Sequence, residues 1–206
     1  MSAQMIKLNY INKSNDTNDT PILIYQKNVA STNSPPIAWT VIEHCGRGAN
    51  HPFVFPVNFQ VAAKDSYGNY TPRQDSYPGQ AFEMVLDNSG DVLRLASTSP
   101  KNPSEVEIRN NLAQGSIDAC IYKDGKLLAK QSDLAPGQKA DFEFQPKIYC
   151  GVVAQVQEGE ELSSAITMEA STEINLFGIS SADLVLYGGG AGKNAEPFEF
   201  RLENIN

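Results

Sequence analysis

A chain of 206 residues with 41% hydrophobic and 19% charged side chains can bury one sizeable core, which excludes a disordered polypeptide. A formal net charge of −8 without clustered Lys/Arg argues against a nucleic-acid binder and against a purely electrostatic grip on anionic lipid. No window approaches the roughly 18 apolar residues of a membrane-crossing helix.

The first residues, Met-Ser-Ala-Gln-Met-Ile-Lys-Leu, lack the basic patch and long apolar run of a secretory leader. Three cysteines, Cys45, Cys120 and Cys150, are an odd number without CxxC spacing, as free thiols in a reducing compartment would be. The expected location is cytoplasmic, with leaderless export as the alternative.

In chain order, Gln4–Ile11 reads as a strand ahead of a loose polar loop over residues 12–20, so residues 1–20 are the candidate exchanging arm. Pro21–Tyr25 is apolar on both faces, as in a central strand. A second polar loop covers residues 31–36. Trp39 alternates with Ile37 and Val41, which assigns it to the core of a strand over residues 37–43.

The next loop, Glu43–Pro52, concentrates both histidines of the chain with a cysteine, a carboxylate and an arginine. His44, Cys45 and His51 are therefore the metal-ligand candidates, because imidazole and thiolate are zinc's usual partners. Neighbouring His44 and Cys45 would point apart on a strand, and no orienting partner for a Cys–His pair is visible, so a polar connection is the expectation. A strand over residues 53–63 follows.

Residues 64–79 form a long excursion rich in Tyr, Gly and Pro. Within it, Tyr67, Asn69, Tyr70, Arg73, Asp75 and Tyr77 are the expected ligand or interface residues. Tyrosine beside amide and carboxylate groups suits either a sugar or a protein partner, and the same rings could serve only to pin their own loop.

Asn88-Ser89-Gly90-Asp91 is a turn; Asp87, Ser89 and Asp91, and similarly Asn15–Asp19, have the spacing of an oxygen-rich loop that permits a surface calcium, although the required glycine and the distal glutamate of an EF-hand are missing. Val106 and Ile108 alternate with charged residues, predicting a strand over a competing capping-box helix. Asp124-Gly125 predicts a two-residue hairpin and Ala135-Pro136-Gly137-Gln138 a type II turn. Asp141–Gln145, Ile166–Ala170 and Phe198–Glu203 alternate as strands, and Ile148–Val156 reads as a central one. Residues 164–187 are the one Ser/Thr-rich candidate for a membrane-inserting hairpin.

Gly188-Gly189-Gly190-Ala191-Gly192-Lys193 imitates a phosphate loop. Tyr187 stands where the first glycine belongs, Asn194 where the hydroxyl belongs, and a strand follows instead of a helix. The reading is a loop joining the last two strands.

About a dozen short strands with turns every 8–15 residues predict an all-β antiparallel sandwich, jelly-roll-like or Ig-like, as one domain over residues 1–206. No GxSxG, HExxH or triad order appears, so neither catalysis nor a cofactor is expected. The expected function is a structural, self-associating protein with itself as partner. The alternative is a carbohydrate- or membrane-binding module, lectin-like or cytolytic, with a glycan or another protein as partner.

Overall fold

The computed structural model describes residues 5–31 and 34–206, so Gln4 of the first strand and Thr32 and Asn33 of the 31–36 loop lie outside the described residues. In chain order the strands are β1 (Met5–Asn12), β2 (Ile22–Tyr25), β3 (Thr40–Ile42), β4 (Asn50–Pro56), β5 (Phe59–Lys64) and β6 (Gln74–Ser76). They continue with β7 (Ala81–Asp87), β8 (Gly90–Leu95), β9 (Val106–Asn110), β10 (Ile117–Lys123), β11 (Lys126–Leu134) and β12 (Lys139–Phe142). β13 (Lys147–Val152), a helix α1 (Ser164–Glu169), β14 (Thr172–Asn175), β15 (Ser181–Gly189) and β16 (Glu196–Glu203) complete the chain. The all-β expectation holds.

The chain divides into two compact units. The first takes Met1–Lys27, Pro35–Val57 and Pro146–Asn206; the second takes Asn28–Ser34 and Asn58–Gln145. The expected single strand over residues 53–63 is instead two strands. Pro56 cannot donate a ladder hydrogen bond, β4 ends there, and the unit boundary falls between Val57 and Asn58.

Unit 1 contains sheets of order β16-β15-β1-β4 and β14-β13-β2-β3; unit 2 contains β11-β10-β5-β6 and β12-β9-β7-β8. One sheet in each unit is wholly antiparallel. The other has a parallel pair at its centre, β1 with β15 and β7 with β9, so the purely antiparallel expectation is corrected at these two places. Parallel neighbours need a long crossover, which alternation within a strand does not reveal.

β1 is hydrogen-bonded on both edges, to β4 and β15, with Ile6, Leu8, Tyr10 and Asn12 buried. The loop after it is not loose. Asn12 donates from Nδ2 to the Cys45 carbonyl (2.7 Å), while its Oδ1 accepts from the Ser14 N–H and hydroxyl (2.9 and 2.7 Å). Asp16 accepts from the N–H groups of Asn18 and Thr20, which keeps its carboxyl below the ordinary range although burial opposes ionisation.

β2 and β13 lie inside their sheet, as their apolar runs predict. Leu23, Tyr25, Ala38, Val153, Val156, Leu162 and Ala170 form a buried cluster. Trp39 is 1% exposed and meets Phe55 edge-on, with ring centroids 5.7 Å apart, as expected of a core residue.

Residues 164–169 overturn their strand assignment. Ser163 caps a short helix by accepting from the Ile166 N–H (3.3 Å), so the period-two pattern there is incidental. Residues 164–187 do not form a hairpin with themselves: β14 pairs with β13 in one sheet, and β15 pairs with β1 and β16 in the other.

The turn readings hold. Asp124 and Gly125 have φ of 52° and 73° between β10 and β11, and the Gln138 N–H donates to the Ala135 carbonyl (3.0 Å). The glycine run joins β15 to β16 without a following α-helix. Gly188, at φ 82°, lies so close to the Pro197 carbonyl that a side chain would overlap it.

Candidate ligand cleft

In unit 2, β5 and β10 run antiparallel with Lys64 opposite Asp118. Alternation turns Val61 and Ala63 inward, and the register sets the Lys64 ammonium 3.4 Å from Asp118 Oδ2. β10 and β11 slip register between Ile117 and Ala119, as at a β-bulge. Asp133, at φ 58°, donates its N–H to Asp118 Oδ1 at 3.1 Å, so both oxygens of Asp118 are held.

The chain leaves β5 through a turn organised by Asp65. Its Oδ1 accepts from the N–H groups of Tyr67 (2.9 Å) and Asn69 (2.8 Å), and its Oδ2 accepts from Asn69 Nδ2 (2.9 Å). The Asn69 amide, aided by the neighbouring backbone N–H groups, keeps the Asp65 carboxyl below its usual range. With both its own backbone and its side chain committed, Asp65 fixes the turn and presents Tyr67 at 87% exposure.

These elements enclose an open cleft of about 350 Å³ lined by Lys64, Asp65, Ser66, Tyr67, Asp118 and Asp133 together with Gly68 and Ser116. Its polar groups are three carboxylates, one ammonium and three hydroxyls, one of them the Tyr67 phenol, and Tyr67 also supplies a wide ring face. Fixed acceptors and donors beside an exposed ring match the pairing of hydroxyl hydrogen bonds with a stacked apolar face.

The expected ligand residues separate. Tyr67 stands at the cleft and Asn69 stays within the turn. Arg73 swings away: its guanidinium lies 3.9 Å over the Tyr122 ring and donates to the Gly125 carbonyl at 2.8 Å, fastening the loop to the β10–β11 hairpin. Tyr70 lies beside that pair. Burial, with Cys120 and Tyr70 nearby, pushes the Tyr122 hydroxyl up to about 12. Asp75 accepts from Gln60 Nε2 (3.0 Å), and Tyr77 takes the turn before β7, where its N–H donates to Gln80 Oε1 (2.9 Å).

Lys64, Asp118 and Asp133 were not among the sequence candidates. Asp118 interrupts the otherwise apolar stretch Ile117–Tyr122, which is a usable signal. Its proximity to Lys64 and Asp133 depends on strand neighbours that alternation cannot supply.

The histidine-rich loop does not converge. His44, at φ 53°, is exposed with its imidazole 4.0 Å from the Glu43 carboxylate, and His51 is exposed on β4. Burial, then Asp19, raises the Cys45 thiol, which disfavours a thiolate. Among the described residues no three His, Cys, Asp or Glu side chains are grouped to hold a metal ion. Asp87 accepts from the Ser89 N–H and hydroxyl (2.7 and 2.6 Å), capping the β7–β8 turn.

Fold and cleft together define a two-unit all-β chain bearing a polar, ring-flanked cleft. The chain matches no family model, no curated protein and no solved structure. Among the described residues no helix is long and apolar enough to cross a membrane.

Proposed function

We propose that the chain is a non-catalytic carbohydrate-binding protein whose ligand occupies the cleft around Lys64, Tyr67, Asp118 and Asp133. The observation that carries this reading is Tyr67, 87% exposed in the lining of a cleft where hydrogen bonds hold the Asp65 and Asp118 carboxylates in place. A free-standing ring costs solvation that a stacked sugar face would recover, and carboxylates held in place lose little entropy when they accept hydroxyls. Each pair of four-stranded sheets is read as a β-sandwich carrying its loops at the ends, an arrangement that suits such a binder.

A glycan array followed by calorimetry on the best hit tests the reading. Tyr67→Ala is expected to weaken binding about tenfold, since an aromatic contact contributes about 1 kcal/mol and more. Asp118→Asn is expected to weaken it further with little change in melting temperature. An array without hits at millimolar glycan would overturn the proposal.

Self-association is the second reading, favoured by one observation. Leu86 and Leu95, 72% and 55% exposed, sit on the β7–β8 hairpin, and β8 is an edge strand whose outer groups can pair with another sheet. Assembly on this reading runs through the outer edge of β8. Light scattering should then give a multiple of 22.4 kDa that Leu95→Lys reduces to the monomer; a wild-type monomer at all concentrations removes this reading.

A further inference from the structure

Unit 1 carries a second cleft, of about 340 Å³, whose polar side chains stand beside the apolar Leu8, Pro52 and Ala182 and which the function proposed above leaves unused. It forms where three strands place polar residues side by side. Asn9 on β1 and Asp183 on β15 are register partners across the parallel pair, and Asp183 faces Glu203 on β16. Asn204 follows immediately in the left-handed region, at φ 51°, which returns its side chain toward Asp183.

The Asp183 carboxylate is consequently gripped from both sides. Asn204 Nδ2 donates to Oδ2 (2.6 Å) and Asn9 Nδ2 donates to Oδ1 (3.2 Å). Asn206 closes one side: its N–H donates to the Ser181 carbonyl (2.9 Å), and its Nδ2 donates to the Asn204 carbonyl (3.2 Å) and the Ser181 hydroxyl (3.4 Å). Lys7 and Ser181 complete the polar lining.

Asn9 and Asn204 each commit one side-chain N–H to Asp183 and keep a second N–H and a carbonyl oxygen for a ligand, whereas Asn206 commits its Nδ2 to two protein acceptors and keeps its carbonyl oxygen. Lys7 and Asp183 carry opposite charges, and the other side chains that line the cleft are uncharged. Rotamers that are already fixed reduce the entropy lost on binding. Alternating neutral donors and acceptors over a few ångströms match vicinal hydroxyls, each of which both donates and accepts.

We infer that this cleft is a second, independent binding site for an uncharged polyhydroxylated ligand, a sugar ring, so that each unit of the chain carries one site. The inference rests on the carbohydrate-binding reading for its ligand class but on different residues for its geometry.

The test is titration of the isotope-labelled full chain with methyl α-glucoside, methyl α-galactoside, methyl α-mannoside and N-acetylglucosamine at millimolar concentrations. Amide resonances of the Asn9, Asn204 and Asn206 side chains are observed by NMR. Saturable shifts at these amides with at least one sugar are expected, retained in Tyr67→Ala. Asp183→Ala should weaken the affinity at least about tenfold, because it releases both carboxamides. Asn206→Ala, at the side of the cleft, should weaken it several-fold and serves if Asp183→Ala misfolds. Absence of saturable shifts with all four sugars, or shifts unchanged in both variants, would overturn the inference. Shifts at Tyr67 alone would leave the first cleft standing and remove the second. Shifts at the three asparagines alone would do the reverse.

Discussion

Replacing Gly151 with alanine is expected to destabilise unit 1 by about 3 kcal/mol or more, at the upper end of what overpacking costs. A Cβ at Gly151 would overlap both the Cα and the Cβ of Ala170. Gly151 has ordinary extended geometry within β13, so the penalty is steric and not conformational. Ala170 is wholly buried and ends helix α1, with its N–H on the Ile166 carbonyl at 2.8 Å. The helix end would therefore have to move away from the cluster containing Leu23, Tyr25 and Val153. Ala170→Gly should rescue only part of the loss, because the Cα overlap remains. Urea unfolding of both variants checks this; a midpoint for Gly151→Ala within error of wild type would show that β13 and α1 separate freely.

The second large effect belongs to Glu107, 2% exposed on β9. Its carboxylate pairs with Arg109 and Lys139, and Asp141 stands opposite on β12, sharing Lys139 at 2.9 Å. Burial opposes ionisation of Glu107, yet Lys139 and Arg109 together hold its carboxyl below the ordinary range. Burial raises Asp141, and the hydrogen bond with Glu107 adds to the rise against the pull of Lys139. Removing one partner of a buried pair costs about 3–5 kcal/mol. Lys139 and Arg109 are partly exposed and can regain water, so Glu107→Gln should cost less, about 2 kcal/mol.

Acid modulates this cost in two steps. Asp141 takes a proton in the folded state before it would in the unfolded chain, so its contribution to stability grows as pH falls toward about 4. Glu107 acts oppositely: its contribution is complete above about 4.3 and is lost as pH falls through the depressed folded value. The gap between wild type and Glu107→Gln should therefore be wide at neutral pH and close below pH about 4. Denaturation series at several pH values measure it. A gap that stays constant down to acid unfolding would sink the assignment.

Much of the secondary structure was legible because it rests on local rules. Asp124-Gly125 demanded a tight hairpin, the doubly apolar Ile22–Tyr25 demanded an inner strand, and Trp39 belonged inside by its spacing. The misreadings are also local. Ile166, Met168 and Ala170 alternate, but Ser163 starts a helix there, and the 53–63 pattern runs through Pro56, where the strand stops. What could not be read is pairing. Asn9 meets Asp183 only because β1 finds β15 far along the chain, and Lys64 meets Asp118 only because β5 finds β10. Both clefts are built at such meetings. The junctions after Val57 and after Gln145 show no change in composition, since the same kinds of strand continue on each side.

The nesting of unit 2 within unit 1 sets an order on synthesis. Its strands, β5 to β12, emerge as one uninterrupted stretch, so all their partners are present once Gln145 has left the ribosome. By then β1 awaits β15 and β2 awaits β13, which are still to be made along with β16. Domains fold as units while the chain emerges at about 5–20 residues per second, so the remaining 61 residues of unit 1 hold its first strands incomplete for several seconds. During that interval the apolar run Ile22–Tyr25 lacks β13 on one edge, and β1 lacks β15 on one edge. This half-made sheet, not unit 2, is where nascent chains would first associate with one another or engage a chaperone.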